Sequence, residues 1–230
     1  MDFDIAVHGG IRVTDNITFL ITQTTVATWI VMAIFFTLAI IVRIKSRNWD
    51  PLKKPTGLQN VIEMAVDAWE KFYLNSAGEK LHVLAPWFFS LFAFLLISNM
   101  IGIVGIRPPT ADWGVTFPLA ISSFFLFHYA GLRHRPKAYL RGIFLEPIFV
   151  FAPLNVLGEL ARPISLSFRL FGNVLGGMIL LSLIYGIAPM LLRFVFPTFL
   201  HLYFDIAAGA LQAFIFVMLS LTFMGINAAD

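Results

Sequence analysis

The chain has 230 residues, of which 59% are hydrophobic and only 13% charged, with a formal net charge of +3. A soluble domain carries about 25% charge, so this composition excludes a water-soluble globular fold and leaves an integral membrane protein with room for several spans of about 20 residues. The absence of cysteine excludes disulfides, thiolate metal sites and cysteine catalysis.

Residues 1–23 are polar and carry Asp2, Asp4, Arg12 and Asp15. They lack the basic-then-apolar order of a signal peptide. They are therefore expected to form an external N-terminal segment, with the first span acting as its own uncleaved signal. That span is predicted over 24–42. Arg43, Lys45 and Arg47 follow it, with Lys53 and Lys54 close behind. Such basic clusters stay on the cytoplasmic side, so the N-terminus lies outside. After a turn-rich linker, Leu58, Val61, Ile62, Ala65, Trp69 and Phe72 recur at helical spacing opposite Gln59, Asn60, Glu63, Asp67 and Glu70. This pattern predicts an amphipathic helix over 57–80, lying at the cytoplasmic membrane face or packed on its own protein.

Two further spans, 84–104 and 113–132, form a hairpin around a short outer loop holding Arg107 and Asp112. The second ends at Arg133, Arg135, Lys137 and Arg141, again basic and therefore inside. Eleven Lys and Arg fall on the cytoplasmic side of this topology, against Arg12, Arg107 and Arg193 outside, the asymmetry that orients membrane proteins. The last two apolar runs, 148–185 and 198–227, would span about 57 Å and about 45 Å as helices. Both exceed a hydrocarbon core of about 30 Å. Either each run is broken, with Pro163 as the kink in the first, or the two form a steeply tilted hairpin. Gly186, Pro189 and Pro197 mark the turn between them. The fold class is all-α integral membrane, with five membrane helices and one amphipathic interfacial helix in a single membrane domain over 1–230. Five crossings place the C-terminus in the cytoplasm.

Arg169 stands in the middle of the first long run. A guanidinium cannot escape by losing its proton, and an arginine at bilayer depth costs about 2.5–3.5 kcal/mol on translocon scales. At 100° per residue, Asn155, Arg162, Ser165, Arg169, Asn173 and Gly176 fall within a sector of about 80°. A narrow polar stripe on an over-long apolar helix means that water or a polar partner runs beside it. Gly172, Gly176 and Gly177 let another surface approach closely. On the final run, Asp205 and Gln212 are two turns apart and share a face with His201, Ala208 and Gly209. Asp205 and Glu159 are the carboxylates within these two runs, so either one pairing with Arg169 as structural glue is the plain alternative. No nucleotide loop, zinc motif or nucleophile constellation is present. The residues argue for ion or proton movement rather than chemistry on a substrate. A secondary transporter or ion channel using Arg169 as an intramembrane anion partner is the competing reading. It predicts inverted repeats with broken helices, and the chain has no internal repeat.

The run Pro163-Ile-Ser-Leu-Ser-Phe-Arg169-Leu-Phe-Gly-Asn173 resembles the signature of subunit a of the F-type ATP synthase, the membrane stator of the Fo sector. Asn99 with Gly102, Pro109-Thr-Ala-Asp112 with Thr116, His128-Tyr129, Glu146-Pro147, Pro153-Leu-Asn155 with Glu159, and Leu211-Gln212 to Phe216 match in order. The resemblance implies a stator that offers two offset half-channels to the carboxylates of a rotating c-subunit ring, for proton or sodium translocation. Arg169 would prevent ion short-circuit, and Asn173, Gln212, Asp205, Ser165, Glu159, Asn155 and His201 would line the ion path. It implies as partners the c-ring, the peripheral-stalk b subunits and the other synthase subunits, all in a bacterial plasma membrane. It implies no nucleotide site, cofactor or metal in this chain and no nucleic-acid partner. Two positions depart from the family's habit. Met178 stands where many members have a glutamate or histidine, and Asp205 where many have a histidine or glutamate.

Overall fold

The computed structural model describes residues 7–14, 17–47, 49, 57–144, 149–187 and 199–228. It opens with two antiparallel strands, β1 (Val7–Thr14) and β2 (Ile17–Thr22), paired from Val7 with Thr22 to Thr14 with Ile17. The β-branched and aromatic run of β2 suits a strand. The helices follow as α1 (Gln23–Ser46), α2 (Leu58–Ala77), α3 (Ala85–Met100), α4 (Trp113–His134), α5 (Pro136–Phe144), α6 (Ala152–Ile187) and α7 (Phe199–Ala228). Turns of 3-10 helix flank α3 at Glu79–Leu84 and Ile101–Val104. Among the described residues, α1, α3 with its flanking turns, α4, α6 and α7 are long and apolar enough to cross a membrane. The protein is an all-α membrane protein preceded by a small β-hairpin.

Three features depart from the pattern read off the sequence. The basic stretch after α4 contains α5, a helix of nine residues. Pro163 does not break α6, which runs for 36 residues, or about 54 Å, through it. The proline has no N–H to offer the Glu159 carbonyl, and one missing bond in a long ladder leaves the helix continuous. In α7, residues Leu202–Ala208 are wound as a π-helix. The Gly209 N–H reaches back to the Phe204 carbonyl, five residues earlier. The predicted starts at residues 148 and 198, the turn residues Pro189 and Pro197, Arg193, Lys53, Lys54 and Glu146 lie outside the described residues.

The chain divides into two compact units, and every membrane helix contributes to both. The first comprises Met1–Met32, Ala93–Ala120 and Ile164–Phe216. Its core holds Ala27, Val31, Leu95, Leu166, Leu170 and Phe216, with an unusual share of buried polar groups. Several of these groups are satisfied in pairs, as apolar surroundings require, while Ser98 Oγ and Gln212 Nε2 have no hydrogen-bond partner among the described residues. Asn99 Nδ2 donates to the Gly209 carbonyl at 2.8 Å, and the Thr110 hydroxyl donates to Asn99 Oδ1 at 2.7 Å. The Thr24 hydroxyl donates to Asp112 Oδ2 at 2.9 Å, and Thr116 meets Ser167 at 3.2 Å. Gly209 is what allows the first of these contacts, because a Cβ there would stand 3.0 Å from Asn99 Cβ.

The second unit comprises Ala33–Phe92, Ile121–Pro163 and Val217–Asp230. Here α2 docks on the start of α3. The Trp69 indole N–H donates to the Ala85 carbonyl at 3.2 Å, and its ring stacks on Phe92 at 5.6 Å between centroids. Tyr73 is fully buried and donates its hydroxyl to the Leu81 carbonyl. Burial also raises the pKa of the Tyr73 phenol, so it stays a donor. Gly225 of α7 lies so close to α2 that a Cβ would meet the Ser76 carbonyl oxygen at 2.5 Å.

Candidate functional site

In the first unit, Arg169 sits on the exposed side of α6 and makes no hydrogen bond or ion pair with any described residue. Ser165, one turn before it, and Gly172 and Gly176 after it are exposed too, while Asn173 is half-buried. A Cβ at Gly172 or Gly176 would meet nothing within 4 Å. Their small size therefore serves no contact with the described residues. The stripe is a flat polar strip on an outer surface, flanked by exposed Leu160, Ile164 and Phe168. A permanent cation on that surface, at membrane depth, has no answer to its desolvation cost among the described residues.

The facing polar groups belong to α7. The Asn173 amide reaches the Ala208 carbonyl at 3.5 Å, a long and weak bond. Gln212 is 6% exposed, and its Nε2 has no hydrogen-bond partner among the described residues. A buried amide left open in this way is either strained or waiting for water or a visiting group. His201 Nδ1 and Asp205 Oδ2 are 2.7 Å apart, a short pairing for such groups. The π-helical winding holds the Asp205 carboxylate against Gly102, where a Cβ would stand 3.0 Å from Asp205 Cγ. A side-chain methyl at Gly102 would push the carboxylate out of its seat. Met178, which cannot carry a proton, is half-buried on α6.

A smaller cavity of about 340 Å³ in the same unit is lined by Thr22, Thr24, Arg107, Asp112 and Trp113 among others. The Arg107 Nε there is buried without a hydrogen-bond partner among the described residues.

The second unit holds Asn155, Glu159 and Arg162 on one wall of a cavity of about 1050 Å³. Tyr139, Arg135 and Asn227 complete its polar lining. Arg162 Nη1 lies 2.8 Å from Glu159 Oε2, and its guanidinium covers the Phe223 ring at 4.7 Å. The Arg162 contact is off the line of an N–H bond, so Oε2 remains without a hydrogen bond although buried. His128 of α4 stands behind it, with Nε2 4.0 Å from Oε2. The Asn155 amide donates to the Ile143 carbonyl at 3.2 Å. The Tyr139 ring packs on Gly131, and its hydroxyl is buried without a partner among the described residues.

The two carboxylates that might have neutralised Arg169 are thus engaged elsewhere, Glu159 by Arg162 and Asp205 by His201. Structural glue is the weaker account of Arg169 for that reason. Three participants were not singled out as site residues from the sequence. Tyr139 hides in a basic segment that looked like a loop, Asn99 looked like an ordinary end-of-span residue, and His128 carried no partner within helical reach. Among the described residues, no three His, Asp or Glu side chains are grouped to hold a metal ion.

Comparison with known proteins adds a family. A family model described as ATP synthase A chain matches residues 25–225. The chain is 33% identical to the sodium-ion-specific ATP synthase subunit a of Propionigenium modestum, over 92% of this chain and 76% of that protein. It is 33% identical to ATP synthase subunit a of Mycoplasmoides gallisepticum, over 87% and 78% respectively. It is also 33% identical to that of Trichlorobacter lovleyi, over 86% and 84%.

Proposed function

The chain belongs to the ATP synthase A chain family, and from that premise we propose that it is the stator which passes ions to and from a ring of carboxylates through two offset half-channels. As a subunit a it is a multi-pass membrane protein that works with other ATP synthase subunits in ATP synthesis and ion transport. The finer reading rests on one observation above the rest: Arg169 is exposed and has no partner among the described residues, on a polar strip where a Cβ at Gly172 or Gly176 would meet nothing within 4 Å. The strip fits the seat of a moving partner, the c-ring, whose carboxylates supply the anion this chain withholds from Arg169.

The residues then take roles in order. Asp205, held by His201, receives ions from the outer side. Asn173 and the unpartnered amide of Gln212 carry them along the α6–α7 face to a ring carboxylate. Arg169 attracts each unloaded carboxylate as it arrives and lowers its pKa, which favours release. The same charge repels a cation that would cross without riding the ring. Two unit charges 4 Å apart interact by about 4 kcal/mol at an effective dielectric of 20, roughly a thousandfold in rate at 1.4 kcal/mol per decade. Ser165 keeps the strip polar beside Arg169. On the other side, Asn155 and Glu159 open the exit through the large cavity of the second unit. The basic residues Arg133, Arg135, Lys137 and Arg141 favour the cytoplasmic side for that cavity, which goes with an N-terminus outside and a C-terminus inside. A membrane potential drives each charge with about 2.3 kcal/mol per 100 mV. The b subunits of the peripheral stalk would hold the stator against the torque.

The test is ATP-driven ion uptake by the complex, purified with its native partners and reconstituted in vesicles, with and without sodium. Arg169→Ala is expected to abolish uptake and ATP synthesis while the complex still assembles. Normal coupled uptake by that variant would sink the mechanism.

A further inference from the structure

Behind Glu159, on the wall of the large cavity, stands a histidine that the ion path has not used. His128 Nδ1 lies 3.0 Å from the Phe124 carbonyl oxygen. A carbonyl can only accept, so this nitrogen carries the proton of the neutral imidazole. Nε2 is then a bare acceptor, and it points at Glu159 Oε2 from 4.0 Å. That oxygen is buried and accepts no hydrogen bond from any described residue. Two acceptors facing one another across a gap about 1 Å too long for a hydrogen bond can bond to each other only when one of them takes up a proton. Once Glu159 is protonated, its O–H donates to Nε2. Transfer breaks that O–H bond and forms N–H on the ring, leaving an imidazolium between a carboxylate and a carbonyl.

The surroundings favour an exchangeable proton over a metal cation. The charged or titratable groups around Glu159 are His128 from α4, Arg135 from the α4–α5 corner, Tyr139 from α5 and Arg162 from α6. From α7, Ile226 and Asn227 complete the wall and Phe223 lies under Arg162, all without charge. Arg162 on the carboxylate and a second arginine, Arg135, on the same cavity oppose a sodium ion. Tyr139 lines the cavity with its hydroxyl buried and unpartnered among the described residues, and its ring stands edge-on to His128 at 5.9 Å between centroids. Burial first, and the Glu159 charge second, push its phenol up to about 12. It therefore stays protonated at neutral pH, able to accept one proton while giving up another.

We propose that Glu159 and His128 share one exchangeable proton as the release dyad of the inner cavity, with Arg162 positioning Glu159 and the Tyr139 hydroxyl linking the dyad to cavity water. The ion this stator delivers there is accordingly a proton. The proposal rests on the half-channel reading above.

The experiment measures potential-driven proton flux through the reconstituted complex stripped of its soluble sector, at varied cavity-side pH and constant outer pH. Wild type should show a profile that changes between about pH 5 and 8, where imidazole titrates. His128→Gln, which retains a donor for Phe124, should flatten that profile and slow flux about tenfold or more. In His128→Ala, imidazole added on the cavity side should restore flux, which a merely structural role for the ring would not permit. Tyr139→Phe, lacking one oxygen atom, should slow flux several-fold without shifting the profile. Wild-type flux and profile in both His128→Gln and Tyr139→Phe would overturn the dyad, as would sodium-22 uptake in place of proton flux. Arg169→Ala in the same vesicles separates the two levels. If it abolishes coupled pumping while the cavity variants behave as wild type, the dyad alone falls; if it pumps normally, the stator reading falls with it.

Discussion

Gly176 and Gly177 are adjacent in sequence and opposite in consequence. A Cβ at Gly176 meets no atom within 4 Å, whereas one at Gly177 would stand 3.0 Å from Phe204 Cδ1 on α7. Within this chain, Gly176→Leu therefore creates no clash and replaces a poor helix former with a good one, worth about 0.5–1 kcal/mol in favour of the fold. Gly177→Leu forces Phe204 or the helix aside, an overpacking cost of about 1–3 kcal/mol. At about 2–4 °C per kcal/mol for a chain of this size, the two variants should separate by several degrees in a thermal-shift measurement on the purified subunit. Function should rank them in the other order. If the ring rolls against the strip at Gly176, a leucine there overpacks the intermolecular contact by the same 1–3 kcal/mol. At 1.4 kcal/mol per decade, ATP-driven uptake drops about 5- to 150-fold in an otherwise stable complex. A Gly176→Leu complex that pumps at the wild-type rate would refute the reasoning that the strip is a running surface, whatever the stability data show.

Further outcomes follow from the same geometry. Arg169→Lys keeps a charge but loses the planar fork that engages a carboxylate with two bonds; coupled ion uptake should drop at least about tenfold, and near-normal uptake would show that charge alone suffices. Asp205→Asn removes the anion that His201 holds at 2.7 Å, so uptake should become limited by outer-side ion concentration; an unchanged concentration dependence would move outer access elsewhere. Gly225→Ala drives a methyl into the Ser76 carbonyl, where only 2.5 Å is available, and should destabilise the subunit by about 1–3 kcal/mol; an unshifted melting temperature would contradict that packing.

Hydrophobic runs, basic flanks and an amphipathic pattern carry their information within a window of about 20 residues, so the all-α membrane class was legible before any coordinates. Arg169 was legible for a related reason, because its cost is set by the apolar residues on either side of it in sequence. What could not be read is whatever depends on contacts across many residues or on backbone winding. Asn99 is tied to Gly209 at a separation of 110 residues, and His128 to Glu159 across 31 positions, neither of which leaves a local period. The α-helical wheel placed Asp205, Gln212 and His201 on one face by assuming 100° per residue, and the π segment over Leu202–Ala208 invalidates that assumption. Pro163 was weighed as a kink on propensity alone, whereas 36 residues of continuous helix outvote one lost bond.

The π segment of α7 also bears on how such a subunit can vary. A stretch wound i→i+5 inside an α-helix stores one residue more than the axial length requires, so it is a reservoir of register. Deleting a single residue between Leu202 and Ala208 would let the helix relax to ordinary winding while the flanks nearly kept their facing, because the wider turn had absorbed the extra residue. His201 on one side and the remainder from Gly209 to Ala228 on the other would keep their places, and only residues inside the segment, Asp205 among them, would turn. One codon thus separates two settings of Asp205. Lineages can adjust that carboxylate without repacking the rest of α7.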